Sequence, residues 1–167
     1  MLKFVLLAVF AALAWFVFVD GSKLDEDDVR AFYVAQRDAT LALDADTLCG
    51  QLSKDAAGRM TTYVGPRERI ELVSRDAACR ETKRLFQQME PLMALLGDEV
   101  PFDFSYEINR ITLSDDSKTA KVEVRSVLDV TGMRFVSRTV ETLVRDRRVV
   151  LVTHVEGRTW ISESPGM

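Results

Sequence analysis

The chain has 167 residues and a formal net charge of −4, with a single histidine, His154, and two cysteines. Its densest basic stretch, Arg145-Asp146-Arg147-Arg148, is broken by a carboxylate and falls in an expected turn, so nucleic acid is not an expected partner. One histidine and two cysteines leave too few ligands for a zinc site, so neither a metal nor a cofactor is expected.

Residues Phe4 to Val19 form an unbroken apolar run, preceded by Lys3 and followed by Asp20 and the acidic stretch Asp25-Glu26-Asp27-Asp28. As a helix this run spans roughly 24 Å against a hydrocarbon core of about 30 Å. Lys3 can snorkel to lengthen it, and Trp15, Phe16 and Phe18 suit the outer interface. Residues 1–22 are therefore expected to be a signal anchor or signal peptide. The uncleaved anchor is preferred, because no Ala-x-Ala site follows the run. The membrane partner is residues 4–19. The expected location is the cell envelope: a bacterial inner membrane with the domain on its periplasmic side, or the periplasm itself if the segment is cleaved. What remains, about 145 residues, is one ordinary domain, expected over 23–162, with 163–167 as a frayed tail. In an oxidising compartment an even cysteine count favours a Cys49–Cys79 disulfide over two separate thiols.

The first half reads helical. Asp25 is an N-cap, Leu24 and Val29 have hydrophobic-staple spacing, and three acidic residues crowd the first turn. Val29, Phe32, Tyr33, Gln36, Ala39, Thr40 and Leu43 then recur at helical spacing, predicting a helix over 25–43. A shorter helix is expected over 46–54, with Leu48 and Leu52 facing inward, and a strand over 58–64. Gly65-Pro66 is read as the start of a long helix with Pro66 in its first turn, carrying Ile70, Val73, Ala77, Phe86, Met89, Met93 and Leu96. Pro91 is expected to kink or interrupt it, and Gly97 to end it.

The second half reads as four long strands over 102–113, 119–130, 133–144 and 149–161, joined by short turns into an antiparallel meander. Residues 119–130 alternate, with Ala120, Val122, Val124, Ser126, Leu128 and Val130 on one face. The apolar parity slips between Phe104-Tyr106-Ile108 and Ile111-Leu113, which predicts a bulge near Asn109-Arg110.

This order, with the segment Ile108-Asn-Arg-Ile-Thr-Leu-Ser-Asp-Asp-Ser-Lys-Thr-Ala-Lys-Val-Glu-Val and the later Arg134-Phe-Val-Ser-Arg-Thr-Val-Glu-Thr-Leu-Val, resembles the nuclear transport factor 2-like superfamily. The resemblance implies an α+β cone: helices packed on a curved antiparallel sheet, here preceded by the N-terminal hydrophobic helix. In such folds the cone serves as an enzyme pocket, a ligand cavity or a dimer scaffold. An anchored domain of this fold also resembles the periplasmic part of an inner-membrane component of type IV secretion systems and the Mce-associated membrane proteins.

Within that cone, Phe32, Tyr33, Tyr63, Phe104, Tyr106, Phe135 and Trp160 are candidates to line an aromatic cavity, with core packing as the plainer reading. His154 sits beside Val150 and Val152 and is the sharpest ionisable candidate, though a partly exposed sheet histidine is the expectation. Of the carboxylates Asp103, Glu107, Asp129, Glu141 and Glu156, most have charged strand neighbours and are expected on a solvated face. No Gly-rich phosphate loop and no nucleophile elbow is present, and no catalytic residue is assigned. The resulting expectation is a non-enzymatic envelope domain that binds a small apolar ligand or a protein partner, or forms a homodimer through its sheet. Its alternatives are a scaffold subunit of an envelope or secretion complex and a small-molecule isomerase or cyclase.

Overall fold

The computed structural model describes residues 23–96, 102–130 and 132–163. The expected signal anchor or signal peptide at residues 1–22, the expected helix end at Gly97, Thr131 and the residues after Glu163 lie outside the described residues. Among the described residues no helix is long and apolar enough to cross a membrane. In chain order the elements are α1 (Glu26–Leu41), α2 (Ala45–Gly50), β1 (Leu52–Val64), β2 (Arg67–Ser74), α3 (Arg75–Leu96), β3 (Phe102–Leu113), β4 (Thr119–Val130), β5 (Met133–Asp146) and β6 (Val149–Glu163).

The start of α1 is held from three directions. The Asp25 side chain accepts from the Asp28 backbone N–H while the Asp28 carboxylate accepts from that of Asp25, a reciprocal capping box. Leu24 and Val29 are both buried, as the staple spacing requires. Asp28 also pairs with Arg145 on β5, whose guanidinium donates to the Lys23 carbonyl as well.

Helix α2 is shorter than expected. It ends at Gly50, a poor helix former, and Leu52 to Lys54 open β1 instead. The change of element is fixed by the Val152 N–H, which donates to the Gln51 carbonyl and starts the seam with β6.

The expectation of a helix beginning at Gly65-Pro66 is corrected. These two residues are a hairpin loop, with Val64 opposite Arg67, and the chain returns as β2 along β1. Gly65 has φ +58°, which suits the first central position of a II′ loop. Helix α3 starts only at Arg75. Ile70 and Val73, three residues apart, would share a helical face, but in β2 they point to opposite faces, Ile70 beside Thr61 and Val73 beside Gly58. Further along, α3 runs through Pro91 without the interruption expected there. Phe86 and Met89 before the proline and Met93 after it pack into one cluster, offsetting the lost backbone bond.

All six strands form one sheet in the order β2-β1-β6-β5-β4-β3. The meander β3–β6 is antiparallel as expected, and so is the β1–β2 hairpin, whereas β1 and β6 pair in parallel, a seam not anticipated from the sequence. A short turn forces antiparallel pairing, but β1 and β6 are joined through most of the domain and carry no such constraint. Two bulges in the meander bend the sheet. Asn109 is the extra residue in β3, where the parity slip placed it. Thr153 is the extra residue in β6, between the pairs Thr142–His154 and Leu143–Val152.

The inner face packs two clusters. Val29, Phe32 and Tyr33 of α1 meet Ala120, Val122, Val124, Leu143 and Val152, while Phe86 and Met89 of α3 meet Val130. Cys49 of α2 and Cys79 of α3 form a disulfide with a Cα–Cα distance of 5.4 Å and a sequence separation of 30. Closing a loop of that length contributes about 3–4 kcal/mol in the chain-entropy model. The double substitution Cys49→Ala/Cys79→Ala is expected to lower the urea-unfolding free energy by about that amount. An unchanged midpoint in urea, or two alkylatable thiols in the unreduced protein, would contradict it.

Candidate functional site

Helices α1, α2 and α3 stand over the inner face and enclose a cavity of about 320 Å³. Its helical wall includes Gln36, Thr40 and both disulfide cysteines, and its sheet wall includes Phe104, Tyr106, Ser126, Ser137, Thr139 and Glu141. One side is therefore mixed and cross-linked, and the other carries a run of small hydroxyls ending in a carboxyl.

Glu141 is placed by register. It sits opposite Val122 on β4 and Val155 on β6, and Val122 is fully buried. Its two oxygens are both occupied: the Tyr33 hydroxyl donates to Oε2 at 3.0 Å and the Thr139 hydroxyl to Oε1 at 3.0 Å. Burial raises the Glu141 pKa, and the two hydrogen bonds, which favour the ionised form, offset only part of that rise. Burial first, then the charge and hydrogen bond of Glu141, push the Tyr33 hydroxyl far above its ordinary value, so it remains a donor. The expectation of a solvated face thus fails for Glu141. Asp103, Glu107 and Glu156 are exposed, and Asp129 pairs with Arg134 at 3.5 Å.

The aromatic candidates separate into three groups. Tyr106 lines the cavity, and Tyr33 lies against it with ring centroids 5.7 Å apart. Phe32 packs edge-on to Tyr33 in the core, and Phe135 belongs to the second cluster under α3. Tyr63, Trp160 and His154 stand on the opposite, outer face. The cause is the extra residue Thr153: Val150 and Val152 pack inward before it, and Val155, in register with Glu141, takes the inner face after it. His154 and Trp160 therefore point outward. Tyr63 is in register with Trp160 and stacks on it at 5.8 Å. His154 meets only Glu156, at 3.3 Å on the surface.

Two further residues shape the site. Gln51 lines the cavity, and its Oε1 has no hydrogen-bond partner. Gly157 lies opposite Thr139 on β5, and a Cβ there would come within 2.7 Å of the Thr139 methyl and of the Arg138 carbonyl oxygen. Among the described residues no group of histidines, cysteines and carboxylates could hold a metal ion.

An α+β cone with three helices over a bent sheet and a polar-floored cavity is the class of domain this geometry defines. Solved structures share it and show the nuclear transport factor 2-like fold. A protein of this description and of unknown function from Silicibacter pomeroyi is 14% identical, with a TM-score of 0.52 over 80% of this chain and 93% of that one. Another from Shewanella oneidensis is 15% identical, with a TM-score of 0.53 over 81% and 99%. A cystatin-like domain of unknown function from Nostoc punctiforme is 13% identical, with a TM-score of 0.55 over 80% and 76%. No family model matches the sequence, and no curated protein matches it. At these identities the likeness shows the fold alone.

Two predictions follow from the floor of the cavity. The folded state holds the Glu141 proton more tightly than the unfolded chain does, so this group's stabilisation is complete below the ordinary carboxylate range and is lost as pH rises toward the folded-state pKa. Glu141→Gln should accordingly gain stability relative to wild type as pH is raised from about 4 to 8. A difference that stays constant across that range in urea melts would contradict it. Gly157→Ala should cost about 1–3 kcal/mol by overpacking and displace Thr139 from Glu141. Retention of wild-type stability would show that the strands yield freely there.

Proposed function

We propose that the cone is a binding cavity for a small, mainly apolar molecule carrying a hydroxyl or similar donor, with Glu141 as its polar anchor. The observation that carries this reading is a part-buried carboxyl, hydrogen-bonded through both oxygens and lining a cavity of about 320 Å³. That volume is within the usual range of small-molecule sites. The unpartnered Gln51 Oε1 supplies a second acceptor for a donor on the ligand.

An isomerase-type activity is the second reading, because Glu141 is also a group able to exchange a proton inside the cone. Binding is favoured over it on the chemistry of the floor. Proton transfer next to a carbonyl needs a second donor aimed at the developing oxyanion, and the Tyr33 hydroxyl is already spent on Glu141.

The domain is further proposed to work outside the cytoplasm, tethered through residues 4–19. The disulfide supports this, since such bonds persist in oxidising compartments. Protease added to spheroplasts should then digest the domain. Full protection of the domain until the cells are lysed would overturn the location.

Thermal-shift screening of small hydroxylated apolar compounds tests the cavity. Compounds at a hundred times their Kd should stabilise wild type by about 2.7 kcal/mol. They should lose that effect in Ser126→Leu, which fills the sheet wall of the cavity. Equal shifts in both proteins would place the binding elsewhere.

A further inference from the structure

The outer face of the sheet carries a pattern that the cavity does not use. Arg125 on β4, Arg138 on β5 and Arg158 on β6 are in direct register, so three guanidinium side chains lie side by side across three neighbouring strands. Neighbouring strands are about 4.8 Å apart, and like charges set directly opposite one another destabilise a sheet. Glu107 faces Arg125 at the β3 end of the row, and the other end continues into Thr61 and Ile70.

Glu107 stands opposite only the Arg125 end of this row, and the other carboxylates of this face are engaged elsewhere. Glu123 pairs with Arg110 at 3.9 Å, Asp129 with Arg134 at 3.5 Å and Glu156 with His154 at 3.3 Å. No salt bridge of the described residues takes up Arg125, Arg138 or Arg158, nor Arg59, which lies opposite Glu156 on β1. This happens in a chain whose net charge is −4, so the row is a local concentration of positive charge against an acidic background.

Apolar surface adjoins it. Arg138 lies over the Trp160 ring at 5.8 Å, and Trp160 stacks on Tyr63. Ile70 is 60% exposed and Leu72 79% exposed on the same face. The surface is also grooved on both sides of Arg138: Arg59, Ile70 and Arg158 line one groove of about 440 Å³, and Asn109 and Arg125 line another of about 370 Å³.

We propose that this face docks an acidic segment of a partner protein, its carboxylates taken by Arg125, Arg138 and Arg158 and its apolar side chains by the Trp160–Tyr63 shelf. Arginine suits the role because its planar fork binds a carboxylate through two parallel hydrogen bonds and stacks on aromatic rings. The arrangement explains why an unfavourable row of like charges is kept in the middle of a sheet: the missing counter-charge arrives with the partner.

The test uses the full-length protein in detergent and a fluorescein-labelled peptide of alternating glutamate and leucine, with the lysine–leucine peptide as control. Binding of the acidic peptide alone is expected, weakening steeply as ionic strength rises. Arg138→Glu and Arg158→Glu should each weaken it at least tenfold, and Arg84→Glu, a charge-matched change on α3, should leave it unaltered. The conservative Arg138→Gln keeps the test valid if a charge reversal disturbs folding, and should weaken binding by a smaller factor. Equal loss with Arg84→Glu, no dependence on salt, or no binding of the acidic peptide would overturn the proposal. So would binding to vesicles of anionic phospholipid that exceeds peptide binding and is lost with the same arginines, since that assigns the row to a membrane surface.

Discussion

A bulge bends a strand and inverts the faces of every residue after it, and the extra residue at Thr153 is the break that sorts β6 between the two surfaces of the sheet. It changes the parity of β6 at one point. Before it, Val152 packs inward beside Leu143; beyond it, Val155 and Gly157 take the inner face and His154, Arg158 and Trp160 the outer one. β6 thus gives the cavity wall Val152, ahead of the break, while the large and charged side chains beyond it, His154, Arg158 and Trp160, are delivered to the other surface. Bulges re-aim side chains in this way because the period of a strand is two and one added residue inverts everything after it.

The floor of the cone follows from a second constraint, the cost of burying a carboxyl. Glu141 is retained inside because each oxygen accepts a hydrogen bond, one from the helical layer through Tyr33 and one from its own strand through Thr139. Tyr33 is nearly inaccessible and also packs against Phe32 and Tyr106, so the carboxyl is fixed to the most rigid part of α1. The disulfide closes the opposite side by tying α2 to α3. Both walls are cross-linked, one covalently and one by hydrogen bonds, so the shape of the cavity is set by the fold itself.

Much of this was legible in the sequence where one physical rule spoke alone. The cap and staple of α1 came from Leu24, Asp25 and Val29. The ends of β3 and β4 came from clean alternation, and the bulge at Asn109 from apolar residues that changed parity in view. The rest was hidden where two rules agreed on different answers. Ile70 and Val73 have the spacing of a helical face, whereas in β2 they point to opposite faces of the sheet. The run Val149-Val150-Leu151-Val152 is apolar on both faces, so the parity change at Thr153 left no trace, and the outer placement of Trp160 and its neighbour Tyr63, candidates for the cavity wall, was hidden with it, while His154 is the exposed sheet histidine expected. Glu141 is the instructive case. Counting back from the Thr131-Gly132 turn puts it opposite Val122, on the inner face, and the charges beside it on the strand distracted from that register. The parallel seam between β1 and β6 has no local signal, since no turn joins the two strands.

The clamp at the start of α1 governs how the domain is held. The Leu24 N–H donates to the Ser117 carbonyl, its side chain is sunk beside Val29, and Arg145 takes both Asp28 and the Lys23 carbonyl. The polypeptide thus enters the fold through a rigid fitting rather than a hinge. A pull or twist applied through the preceding residues is passed directly to the β3–β4 turn and to β5, the strand that carries Glu141 and Arg138.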